Sequence, residues 1–166
     1  MFQVGDRVLY GIHGVCSILG TEMKSVDRKK VEYFVLEPVE HPGARFYVPT
    51  GNPTALNKLK HILTAQQLEQ LLISDESKAD CWIQDENLRK QRYRELINGG
   101  DRAALISMVR TLHAHKQAQI AAGRKFHLSD ENFLRDAEKV LNAEFSLVLN
   151  IPAGQVAEYI IHKMEQ

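Results

Sequence analysis

Apolar and polar residues alternate through the first third of the chain, and the pattern then switches to a helical period. In VGDRVLYGIHGVCSILG, residues 4–20, Val4, Val8 and Tyr10 stand an even number of places apart, as a half-buried strand requires. Val15 and Ile18 resume the apolar character after Gly-Ile-His-Gly. The runs VEYFVLEPV and ARFYVPT are rich in β-branched and aromatic residues and are separated by a Pro42-Gly43 turn. The polar stretch MKSVDRKK puts Asp27-Arg28 at the tip of a connection between strands ending near Met23 and starting near Val31. Four or five short antiparallel strands predict a small barrel or curled sheet, with its first long strand bent at Gly11 and Gly14.

From residue 64 the pattern is helical. Thr64 and Gln67 fit a capping box ahead of LEQLL. The segment SDESKAD carries no core pattern, which places a domain boundary between Leu63 and Asp80. A helix is expected from about Asp80 to Asn98, stopped by Gly99-Gly100, with Asp101 capping the next. That next helix carries a core stripe of Leu105, Met108, Val109 and Leu112. Ser129 is expected to cap a helix that buries Phe133, Ala137, Val140, Leu141 and Phe145. Pro152 suits the first turn of a last helix, with Val156, Tyr159, Ile160 and Met164 inward. The expectation is therefore α+β in two domains: a small β-barrel over 1–63, a linker with a short helix over 64–80, and an all-α helical bundle over 81–166.

Composition changes this picture in one respect. The formal charge of the 166 residues is zero, yet residues 89–127 hold nine basic side chains against two acidic ones, and residues 128–166 hold three basic against seven acidic. Such a positive belt reads either as a footprint for phosphates or an acidic partner, or as a solvated helix face. Cys16 and Cys81 form no C-x-x-C pair, so neither a metal knuckle nor a disulfide framework is suggested. Together with the lack of a basic-then-apolar leader or of an apolar run near the ~18 residues a membrane span needs, this points to the cytoplasm and away from a membrane.

Candidate chemistry is sparse. His113 and His115 lie two apart on a predicted helix and point to different sides, and His13 has only Cys16 nearby, so no metal site is expected. There is no nucleophile elbow, no glycine-rich phosphate loop and no carboxylate pair in an apolar setting, so no enzyme, cofactor or small-molecule substrate is expected. Trp82, the single tryptophan, precedes Arg89 by seven residues, which is two turns along one helical face. It reads either as a minor-groove wedge flanked by cations or as a core residue packed under the linker.

These pieces resemble the CarD/CdnL family and the related RNA-polymerase-interacting module of transcription-repair coupling factors. FQVGDRVLYGIHGVCSI resembles the family's G-D-x-V-x-Y/H and H-G-V/I opening, and EYFVLEPV and FYVPT fall where that module has later strands. RYRELINGGDRAALISMVRTL and LSDENFLRDAEKVLNAEFSLVLNIP resemble its later signatures. The resemblance implies a Tudor/SH3-like barrel that binds the β-subunit lobe of bacterial RNA polymerase. It also implies a helical domain that meets promoter DNA without sequence specificity, through the minor groove, and stabilises the open complex. The family's basic polymerase contacts fall on Lys24 and Tyr47, with Arg45 two places earlier on the same strand face. The family tryptophan falls near Glu86 or Arg89, one or two turns from Trp82, and Arg89, Lys90, Arg92, Arg94, Arg102 and Arg110 are the expected phosphate contacts. His13 is read as a turn histidine whose ring caps local backbone. The alternative is an adaptor that binds polymerase or another protein and ignores DNA.

Overall fold

The computed structural model describes residues 1–165 and, of Ile12, the backbone alone. The chain divides into two compact units, Met1–Ile62 and Leu63–Gln166.

The first unit is an antiparallel sheet of β1 (Arg7–Tyr10), β2 (Val15–Val26), β3 (Lys29–Pro38), β4 (Phe46–Pro49) and β5 (Leu59–His61), with one short helix, α1 (Pro53–Leu56). The strand order is β4-β3-β2-β1-β5. The sheet is open, with β4 and β5 at its edges, so the closed barrel expected from the strand pattern does not form. The opening stretch is also not one bent strand. It is a hairpin in which β1 and β2 pair through Val8 and Cys16, joined by a 3₁₀ turn at Gly11–His13. Gly11 (φ 51°) and Gly14 (φ 75°) bracket that turn in the left-handed region that glycine tolerates. The bulge lies further on, where the β2–β3 register jumps between Ile18 and Gly20.

The bulge matters because side chains on a strand alternate faces, and one extra residue reverses the alternation. Cys16 and Ile18 face the core with Val8, Leu36, Val48 and Leu59. Beyond the bulge, Gly20, Glu22 and Lys24 share the opposite face with Val35 and Tyr47, their paired neighbours being Val35 for Gly20 and Tyr47 for Val35. His13 does not cap backbone as expected. Its exposed ring lies 4.2 Å from Phe46 and 5.2 Å from Tyr10.

The second unit holds α2 (Ala65–Leu72), α3 (Asp75–Lys78), α4 (Glu86–Gly99), α5 (Arg102–Ala121), α6 (Leu128–Leu149) and α7 (Val156–Met164). The Thr64–Gln67 capping box is formed, and Gly100 ends α4 with Asp101 capping α5 through Ala104. α5 is the central helix: Leu105, Ile106, Met108, Val109 and Leu112 are fully buried, packed with Tyr93, Phe133, Leu141, Phe145, Val156 and Ile160. α6 begins at Leu128 behind His127, two residues before the expected Ser129 cap. The polar segment SDESKAD is packed: it forms α3, Ser77 is buried, and α3 lies against α5.

α4 begins at Glu86 rather than near Asp80, because Asp85 caps it through the backbone N–H of Leu88. The preceding residues are held irregular by polar groups on α5. The Thr111 hydroxyl accepts from Cys81 N (3.2 Å), the Ser107 hydroxyl donates to the Ala79 carbonyl, and Arg110 donates to the carbonyls of Lys78 and Ala79. Tyr93 donates to the Cys81 carbonyl from α4 (3.2 Å). Each backbone group so occupied is withdrawn from a helical ladder.

Candidate functional site

Two surfaces gather the residues that the sequence singles out, one on each unit. On the first, the outer face of the sheet brings Lys24 and Tyr47 together, the ammonium 3.4 Å from the centre of the phenol ring. A lysine on an aromatic face keeps its charge exposed while its position is fixed. Tyr47 therefore does not simply replace a cation; it is the platform that places one. Arg45, just ahead of β4, donates to Glu37 at 2.5 Å and to the carbonyl of Ala44 at 2.9 Å. The Glu37 carboxylate also accepts from Gly43 N at 3.2 Å, and this backbone bond and then the Arg45 bond hold its carboxyl below the usual range. Arg45 is thus oriented by Glu37, and its charge is largely balanced there.

On the second unit the belt of cations meets the acidic stretch that follows it. Arg89 is buried and paired with Asp130 (Nε to Oδ1 2.9 Å, Nη2 to Oδ2 3.1 Å), and also donates to the Ile83 carbonyl. Arg102 forks onto Glu144 through two bonds of 2.7 Å, and Glu144 also accepts from Leu63 N. Lys116 pairs with Glu131 at 2.9 Å. Much of the charge contrast read along the sequence is therefore spent inside the fold. Arg89, Arg102 and Arg110, all expected at phosphates, serve as internal ties: the first two pair with the carboxylates of Asp130 and Glu144, which are buried, and the third donates to the carbonyls of Lys78 and Ala79. Lys90 and Arg92 make only surface pairs with Glu86 (3.2 Å) and Glu95 (3.4 Å), and Arg94 is exposed. Exposed pairs of this kind contribute little to stability.

Trp82 lies in the irregular segment before α4, so helical spacing does not set its direction. Its backbone N–H donates to Asp80 and its Nε1 to Gln84. One face of the indole stacks on His115 (ring centres 3.6 Å apart, planes at 14°), and the Arg89 guanidinium carbon lies 4.3 Å from its centre. The ring is half-buried. It borders a shallow cleft of about 200 Å³ that Gln84, Gln119, Phe126 and His127 also line. Sequence reading missed the contribution of the α5–α6 connection. Its Arg124 and Lys125 are exposed and immediately precede the cleft residues Phe126 and His127. The basic pair followed by an aromatic in GRKFH was the available signal.

Residues 2–60 match the family model of the CarD-like/TRCF RID domain. The first unit is similar to the CarD-like/TRCF RID domain. This supports a CarD-like assignment for the first unit; the match ends before the helices of the second. No curated protein matches the chain. A RID domain is a protein-interaction module, linked at the family level to RNA polymerase. The Lys24–Tyr47 pair lies within the matched residues, and both side chains are exposed. Among the described residues there is no cluster of histidine, cysteine or acidic side chains able to hold a metal ion, and no helix is long and apolar enough to cross a membrane.

Proposed function

We propose that the RID domain docks on the β-subunit lobe of bacterial RNA polymerase through the sheet face that carries Lys24, Tyr47 and Arg45. The helical unit then touches promoter DNA without sequence specificity and lengthens the life of the open complex in the cytoplasm. The observation that carries this reading is the family match over residues 2–60, with an exposed lysine set on an aromatic platform within the matched sheet. Lys90, Arg92 and Arg94 are the phosphate contacts of this proposal, and Trp82 is the wedge at the minor groove. Arg89 and Arg102 act behind them as positioning residues. The test is promoter-complex lifetime with the full chain: Trp82→Ala and Arg92→Glu should each shorten it, and neither should weaken binding to polymerase alone.

The second reading is an adaptor that binds polymerase without touching DNA. The internal use of Arg89, Arg102 and Arg110 and the stacking of Trp82 on His115 favour it. Unchanged lifetimes for both variants, with polymerase binding retained, would select it.

A further inference from the structure

The tip of the β2–β3 hairpin extends past the backbone pairing of the rest of the sheet. β1 pairs with β2 only from Val15 to Ser17, and β4 pairs with β3 only from Tyr33 to Leu36. Beyond Glu32, whose carbonyl accepts from Thr50 N, Lys24–Val26 and Lys29–Val31 pair only with each other, and residues 21–30 are exposed throughout. These pairs make a short arm of roughly 10 Å at about 3.3 Å per residue. Val26 pairs with Lys29, so the turn is the two residues Asp27 and Arg28, both at positive φ (50° and 65°). This is the pattern of a type I′ turn, where glycine or asparagine is the unstrained choice. The chain keeps an arginine at the strained apex instead.

Arg28, Lys29 and Lys30 have no hydrogen-bond or ion-pair partner for their side chains among the described residues, unlike Arg89, Arg102 and Lys116 of the helical belt, which are paired with carboxylates. Asp27 at the tip, and Glu22 and Glu32 nearer the sheet, are the opposing charges, and Glu32 is engaged by the Thr50 hydroxyl. We infer that this ribbon is a second nucleic-acid contact, a cationic arm that enters the major groove of duplex DNA and meets its phosphates with Arg28, Lys29 and Lys30. Three observations favour DNA. Lysines are depleted in protein interfaces, whereas they dominate this tip. A two-stranded ribbon fits the major groove of B-form DNA, about 12 Å wide. The deep, narrow major groove of duplex RNA does not admit side chains in this way.

The test uses the full chain without polymerase and a fluorescent DNA duplex of about 20 base pairs, with affinity read across a salt series. The triple variant Arg28→Glu, Lys29→Glu, Lys30→Glu should bind at least about tenfold more weakly, with a log-affinity against log-salt slope shallower by about 2 to 3. Arg28→Gly and Asp27→Gly both relieve the turn, so both should melt at or above the parent temperature. Only Arg28→Gly should lose affinity, by about threefold, while Asp27→Gly should gain it. A duplex RNA of the same sequence should bind more weakly and show little dependence on Arg28. No binding of the parent to the duplex, an unchanged slope in a folded triple variant, an equal loss on RNA, or a loss confined to polymerase binding would overturn the inference.

Discussion

Arg89 grips Asp130 through two parallel bonds of 2.9 and 3.1 Å, with neither residue more than 4% exposed, and the Trp82 ring lies 4.3 Å from the same guanidinium. This pair ties α4 to the first turn of α6 and braces the segment that holds the tryptophan. Removing one partner leaves the other charge buried alone, at a cost of about 3–5 kcal/mol. Arg89→Ala and Asp130→Ala should each lower the melting temperature of the full chain sharply, and the double variant should cost less than the sum of the two, as a thermal-melt double-mutant cycle will show.

Trp82 is the single tryptophan, so tryptophan emission reports on the surroundings of this one ring. His115→Ala removes the ring 3.6 Å away and exposes one face of the indole. The emission maximum should shift to the red while the melting temperature changes little, because His115 is only partly buried.

Glu138, on α6 beside Lys116 and Glu131, has its carboxyl raised, chiefly by burial, while Lys116 pulls it down and Glu131 pushes it up. The folded form thus favours the protonated acid. That contribution is fully present below the unfolded carboxyl value of about 4.5 and is lost as pH rises through the higher folded value. Glu138→Gln removes the loss. It should melt above the parent at pH 7 and show no such advantage at about pH 4, with both proteins followed by circular dichroism.

Cys16 is buried in the sheet core, and burial pushes its thiol up to about 11. With Cys81 replaced by Ser, the native chain should give no rapid reaction with a thiol reagent at about pH 8, and one equivalent after unfolding.

Much of the helical order was legible because its signals are local. The Thr64–Gln67 box, the Gly99-Gly100 stop, the Asp101 cap and the Leu105 to Leu112 stripe need only neighbouring residues, and each stands as read. What failed depended on distant partners. Residues 80–85 read as helix because nothing nearby shows that Ser107, Arg110 and Thr111 will claim the backbone at Lys78, Ala79 and Cys81. The belt read as a surface because Asp130 and Glu144 lie about 40 positions from the arginines they neutralise. The barrel read as closed because strand pattern carries no information on whether the edge strands β4 and β5 meet. The Lys24–Tyr47 platform escaped notice because the extra residue between Ile18 and Gly20 decides which face Lys24 takes.

Docking by the RID sheet is tested most directly by equilibrium binding of the full chain to purified bacterial RNA polymerase at low salt, comparing the parent with Lys24→Glu and Tyr47→Ala. Both side chains are exposed, so both variants should remain folded. Parent binding, weakened at least about tenfold by Lys24→Glu and by a smaller factor by Tyr47→Ala, is the expected result. No binding by the parent, or equal binding by all three proteins, would contradict it.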